Sequence, residues 1–298
     1  MNPEIAVVRQ ILSQTPLSES ASMDVVQQRA AMEAFTAQLP VRSGAKADVI
    51  ALGGVPAERV IASGASSLRV ILYLHGGGYS MGSPRTHRSL AAELSAASGA
   101  TVWVIDYPLA PEHPFPEGLD AAVAAYKALL AQRLKPEHLV IAGDSAGGGL
   151  TLALAVKLKE LGLPQPAGLF CISPWADLTQ SGDSHRTHAS RDPMVTTNDL
   201  NQSAEHYAGK TTATNPMISP VKGDFAGLSP ILVHVGTEEV LFSDSLMVAA
   251  RAGEAGIECT LIVAPEMIHV WHAFFPMLSA ARSAIADAGA WIKTRTGA

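Results

Sequence analysis

Leu139-Val140-Ile141-Ala142-Gly143-Asp144-Ser145-Ala146-Gly147 is the stretch whose reading decides the fold. A short apolar run rich in β-branched residues ends in Gly-x-Ser-x-Gly, and an alanine- and leucine-rich segment over residues 146–161 follows at once. The order is strand, sharp turn, helix, the context in which the pentapeptide has a mechanical meaning. A serine lifted above a sheet on so tight a turn needs small residues two places before and after it, because the backbone crosses closely there. Ser145 is therefore the candidate nucleophile. The competing reading is an ordinary glycine-rich turn in which Asp144 or Ser145 caps a helix.

Outward from this point the chain alternates short strand-like runs with helical stretches. Residues 69–74, 101–105, 139–142, 168–172, 231–235 and 259–263 read as strands, and residues 117–132, 146–161, 243–255 and 277–293 as helices. Residues 48–51 and 59–62, with Gly53-Gly54 between them, read as an opening hairpin. Strands joined by crossover helices predict an α/β fold with a mostly parallel, eight-stranded sheet between helical layers. Residues 1–45 and 180–225 break the alternation. The expected organisation is a first cap segment (1–45), an α/β core (46–179), a cap insertion (180–225) and core again (226–298), the cap serving to shape and dry a site.

A second motif gives the first its chemistry. His75-Gly76-Gly77-Gly78 directly follows the strand at 69–74. Attack on an ester carbonyl leaves negative charge on oxygen, and fixed backbone N–H groups stabilise it; one such donor is typically worth ~100 to 1000-fold in rate. Gly76 and Gly77 are the expected donors, with the N–H of Ala146 at a helix start. A phosphate-binding loop would need G-x-G-x-x-G or a following Lys-Ser/Thr, and neither is present. His75 precedes the serine, against the chain order of this fold, and reads as a structural hydrogen-bonding residue.

That order, nucleophile then acid then histidine, directs the search to two later loops. Thr237-Glu238-Glu239 follows one strand, and Glu266-Met267-Ile268-His269-Val270-Trp271-His272 follows the next. His269 is the expected base, relaying the Ser145 proton to the leaving alcohol, while His272 reads as a wall or core residue. Adjacent side chains point differently, so one of Glu238 and Glu239 reaches the imidazole, and spacing alone leaves both open.

With these motifs assembled, the chain resembles the bacterial hormone-sensitive-lipase-like esterases, often called family IV, in the branch whose elbow reads Gly-Asp-Ser-Ala-Gly. The resemblance covers about residues 48–290. It rests on His75-Gly76-Gly77-Gly78-Tyr79, on Asp106-Tyr107-Pro108-Leu109-Ala110-Pro111-Glu112-His113-Pro114-Phe115-Pro116, on Gly143-Asp144-Ser145-Ala146-Gly147-Gly148, and on Ser173-Pro174-Trp175-Ala176-Asp177-Leu178. It implies that Glu239-Val240-Leu241 occupies the family's Asp-Pro-Leu position, selecting Glu239 as the acid, and it selects His269 as the base. Glutamate for aspartate is a departure, as is Pro108 where many relatives carry arginine. The resemblance further implies no cofactor, a two-part cap, short acyl esters as substrates and frequent homodimers.

Composition narrows the partners. The 298 residues are 48% hydrophobic and 16% charged, with 21 Lys plus Arg against 27 Asp plus Glu and a formal charge of -6. An acidic chain gives no electrostatic reason to bind nucleic acid or an anionic membrane. No apolar run approaches the ~20 residues of a membrane span, and Glu4, Arg9 and Gln10 interrupt the start, so a cytoplasmic address is the expectation. Cys171 and Cys259 sit within strand-like runs and read as buried thiols, and neither Cys-x-x-Cys nor His-Glu-x-x-His spacing suggests a metal. A small ester is the expected partner. Two other readings share the fold: a catalytically silent small-molecule receptor, which would lack the histidine, and a long-chain lipase acting at an interface.

Overall fold

β-Branched strands that run apolar on both faces require helices on both sides, and the chain supplies them. A computed structural model describes residues 2–15 and 23–297; residues 16–22 of the expected first cap segment lie outside the described residues. Eight strands form one sheet: β1 (Lys46–Leu52), β2 (Val55–Ile61), β3 (Ser66–Leu74), β4 (Ala100–Ile105), β5 (Leu139–Asp144), β6 (Gly168–Ile172), β7 (Ile231–Gly236) and β8 (Cys259–Ala264). Their order is β1-β2-β4-β3-β5-β6-β7-β8. β1 and β2 pair antiparallel around Gly53-Gly54, both in the left-handed region that a two-residue hairpin needs, and the pairs from β4–β3 to β7–β8 are all parallel.

Each central strand feeds two cores by its period of two. Val70, Leu72 and Leu74 face the helices α4 (Glu117–Ala131), α5 (Ala146–Glu160) and α8 (Phe242–Glu254). Ile71 and Tyr73 face α1 (Pro3–Ser13), α3 (Pro84–Ser98) and α9 (Ser279–Arg295). A fully buried Leu, Ile or Val contributes roughly 1.5–3 kcal/mol relative to leaving it exposed, so these rows fix the register.

Helix α3 was not among the expected helices. Its start is nonetheless written in sequence: Ser83 Oγ accepts from Thr86 N at 3.2 Å, Thr86 Oγ1 accepts from Ser83 N at 2.9 Å, and Pro84 occupies the first turn. Gly99, with φ 63, closes it. The remaining helices are α2 (Val25–Thr36), which precedes the sheet, and α6 (Ser184–Thr187) and α7 (Thr197–Ala208), which lie between β6 and β7. None of the described helices is long and apolar enough to cross a membrane.

Candidate active site

Loops after the C-terminal ends of β3, β5, β6, β7 and β8 converge, as ligand sites do in parallel sheets. Ser145 follows β5 directly with φ 54 and ψ -122, a conformation that costs a non-glycine residue on the order of 1–3 kcal/mol. Three hydrogen bonds hold it there: Ser145 N donates to Ile172 O at 2.8 Å, and Ser145 O accepts from Trp175 N at 2.9 Å and Gly149 N at 3.1 Å. A Cβ on Gly147 would strike the carbonyls of Leu74 and His75, and one on Gly143 the carbonyl of Gly147. The elbow's glycines are thus set by the crossing of β3 and α5.

Glu239 and His269 meet. His269 Nδ1 lies 2.8 Å from Glu239 Oε2, and both side chains are buried. Burial pushes the imidazole pKa down, but the hydrogen bond and charge of Glu239 outweigh it and hold His269 above its ordinary value. The other carboxylate oxygen of Glu239 accepts from Gly236 N at 2.6 Å and Ser173 Oγ at 2.9 Å. Ser173 Oγ in turn accepts from Val270 N at 3.1 Å, so one hydroxyl ties the carboxylate loop to the histidine loop. Sequence reading passed over Ser173 as a site residue; its position directly after β6, beside the elbow, was the available signal.

The neighbouring carboxylate, Glu238, turns outward, 3.6 Å from Arg191 and 3.8 Å from Arg9. His272 is core: its Nε2 is 2.9 Å from His234 Nδ1, and burial drives its pKa well below the ordinary value. His234 falls to about 4 for the same reason.

Ser145 and His269 line one cavity of about 230 Å³, together with Gly77, Gly78, Met81 and Asp144. Helix α2 supplies Met32 and Phe35 to its wall, and Met194, Val195 and Leu200 come from the segment between β6 and β7. Among the described residues, the N–H groups of Gly77, Gly78 and Ala146 have no protein acceptor. Gly77 (φ 119) and Gly78 (φ 60) hold backbone conformations that side chains rarely adopt.

Gly76, expected as an anion donor, is engaged elsewhere. Its N–H already donates to Asp144 Oδ1 at 3.0 Å, and a Cβ there would strike that carboxylate. Asp144 Oδ1 also accepts from Tyr73 Oη at 2.8 Å, and His87 Nε2 stands 3.3 Å away. Against the desolvation of its burial, His87 holds the Asp144 carboxyl below its ordinary range. His75 supports the backbone of the glycine loop. Its Nδ1 lies 2.8 Å from Gly76 O, and burial lowers its pKa to about 3, so it stands neutral and donates. No cluster of three or more His, Cys, Asp or Glu placed to hold a metal occurs among the described residues.

Comparison with known proteins agrees with the fold. The family described as the alpha/beta hydrolase fold matches residues 71–273. The chain belongs to that family. The hydrolase is 42% identical to an acetyl-hydrolase of Streptomyces hygroscopicus over 99% of this chain and 98% of that protein. It superposes with a TM-score of 0.95 and 42% identity on the crystal structure of EstE5 soaked by p-nitrophenyl butyrate, each chain covered completely. An esterase from the bacterial hormone-sensitive lipase (HSL) family gives a TM-score of 0.95 at 38% identity, over 100% of this chain and 99% of that one. The hydrolase is thus a member of the HSL-like branch expected from its motifs.

Proposed function

We propose that this chain is a serine carboxylesterase working through an acyl-enzyme, with Ser145 as nucleophile, His269 as base and Glu239 as the acid that orients it. The observation that carries the reading is convergence: a serine on a strained elbow opens into the same apolar cavity as an imidazole whose far nitrogen is bonded to a buried carboxylate. Ser145 Oγ bonds to the ester carbon as its proton passes to His269 Nε2. The oxyanion rests on the N–H groups of Gly77, Gly78 and Ala146, Gly78 taking the place expected of Gly76. Collapse breaks the bond to the alcohol, which leaves with that proton; water, deprotonated by His269, then releases the acid and restores Ser145.

A cavity of about 230 Å³ with apolar walls supports small acyl groups, and the EstE5 crystal soaked by p-nitrophenyl butyrate supports the same class. The described residues of the 1–45 segment, together with residues 180–225, act as the cap that closes this cavity. Two free cysteines fit a reducing, cytoplasmic setting, and the reading includes a homodimer.

The test is Ser145→Ala. The variant keeps its fold by circular dichroism and loses p-nitrophenyl butyrate turnover by on the order of 10⁴-fold or more; unchanged turnover overturns the assignment. Rates across p-nitrophenyl esters from acetate to palmitate, soluble and emulsified, peak at the short end, and a maximum on emulsified palmitate would favour the lipase reading.

A further inference from the structure

Helix α2 contributes no fully buried side chain, so polar contacts carry much of its attachment to the body of the molecule. Arg29 makes most of them. Its Nε donates to Ser80 O at 2.7 Å and its Nη2 to Ala110 O at 3.0 Å, while Nη1 and Nη2 grip Glu112 Oε1 and Oε2 at 2.9 and 2.7 Å. The Arg29 hydrogen bonds hold the Glu112 carboxyl down to about 2.

Of the two carbonyls that Arg29 holds, Ser80 O belongs to the turn carrying the anion donors, and Ala110 O to a segment hydrogen-bonded to that turn. Ser80 N and Met81 N donate to Gly77 O at 3.1 and 2.9 Å, and Ala110 N donates to Tyr79 O at 2.9 Å. Gly77 and Gly78 therefore sit in a loop fastened on its outer side by a guanidinium from α2. From the other cap segment, Tyr207 of α7 stacks on Tyr79 with ring centroids 3.7 Å apart. Arg29 is not in the cavity wall, although Gln28 and Met32 beside it are. Removing its side chain thus deletes no substrate contact.

We propose that Arg29 is a positioning residue for the oxyanion loop: docking of α2 through its guanidinium sets the Ser80 and Ala110 carbonyls, and through them the aim of the Gly77 and Gly78 N–H groups. Cap and anion site are then coupled, and the first cap segment does more than wall the cavity. This rests on the esterase reading above. Without the guanidinium, Ser80 O and Ala110 O lose their charged donor, the turn relaxes, and stabilisation is lost in the transition state while ground-state binding is kept.

The experiment compares wild type, Arg29→Met, Arg29→Lys and the control Arg186→Gln, an arginine of α6 whose side chain is 79% exposed. Steady-state turnover of p-nitrophenyl butyrate is measured beside inhibition by an aryl trifluoromethyl ketone, which forms a tetrahedral oxyanion on the serine, and by butyramide, which does not. For Arg29→Met, kcat falls on the order of tenfold with KM changed less than about twofold, because a small misplacement of donors costs rate rather than ground-state binding. Ketone affinity falls by the same factor as kcat/KM, butyramide affinity holds, Arg29→Lys recovers part of the loss, and Arg186→Gln matches wild type. An Arg29→Met enzyme with wild-type kcat, or one raised only in KM, overturns the proposal. If Arg29→Met does not fold, Arg29→Lys is judged by the same kcat and ketone criteria. A wild type without turnover would defeat the esterase reading instead, a distinguishable result.

Discussion

Asp144 occupies the variable position of the elbow, yet its carboxylate joins three elements. It receives Tyr73 Oη from β3 and Gly76 N from the glycine loop, and His87 of α3 stands against it. The nucleophile's immediate neighbour thereby fixes the first residue of the anion loop. Glu238 and Glu239 show the same sensitivity to direction: adjacent in sequence, one ion-pairs with Arg191 and Arg9 at the surface and the other is sealed against His269. Because Glu239 raises the His269 pKa, the proton leaves the imidazole at higher pH, and the acid limb of kcat/KM lies above the ordinary imidazole value. Glu239→Gln deletes that charge. Its midpoint moves to lower pH and its plateau drops by on the order of 10³–10⁴-fold, whereas Glu238→Gln retains both. A pH–rate profile of the two variants checks this, and a midpoint unmoved in Glu239→Gln contradicts it. Ser145, Glu239 and His269 were all legible as candidates because their motifs follow strand ends. Three consecutive glycines look alike in sequence; what sets Gly76 apart from Gly77 and Gly78 is where a carboxylate from another strand falls.

At the scale of elements, the central strands were easy to read because their apolar runs face cores on both sides. Helix α3 was not, for a physical reason. It buries Thr86, His87, Ser89, Ser95 and Ser98 beside Leu90, Ala91, Ala92 and Leu94, so much of its core-facing side is polar and its composition reads as that of a loop. Each buried hydroxyl has its own partner instead, as where Ser95 Oγ donates to Ala100 O at 2.7 Å and accepts from Ala62 N at 2.9 Å. The helix also approaches α9 closely: a Cβ on Gly289 would lie 2.5 Å from Ala97 C and 2.6 Å from Ala97 O. Gly289→Ala therefore destabilises the fold by about 1–3 kcal/mol, the usual cost of overpacking. Gly253→Ala, in α8 with nothing within 4 Å of its Cβ, stabilises by about 0.5–1 kcal/mol. Urea unfolding of the pair measures both signs, with kcat unchanged in each; equal midpoints would contradict the packing argument.

Across the whole molecule, three stretches far apart in sequence enclose one cavity: α1 and α2, the loops at the strand ends, and the segment bearing α7. The core stretches announce themselves by pattern; the other two bury apolar faces of their own, Ile5, Val8 and Leu12 on α1 and Leu200, Ala204 and Tyr207 on α7, and particular contacts set where they dock. Arg9 reaches Arg191 O at 2.9 Å, and Asp192 Oδ2 accepts from Val240 N at 2.9 Å, next to Glu239. Such pairings follow from three-dimensional placement and leave no periodicity to read. The wall so assembled includes Met23, Met32, Met81 and Met194. Thioethers suit irregular acyl groups because they are unbranched and polarizable. They are also open to peroxide, which turns each into a polar, chiral sulfoxide. Mild oxidation should therefore raise KM for butyrate esters while the unfolding midpoint stays near that of untreated protein, and methionine sulfoxide reductase should restore the original KM. Mass spectrometry of the four peptides alongside kinetics would follow this, and unfolding that preceded any rise in KM would count against it. The softness that lets the pocket accommodate its ester is thus also its point of chemical ageing.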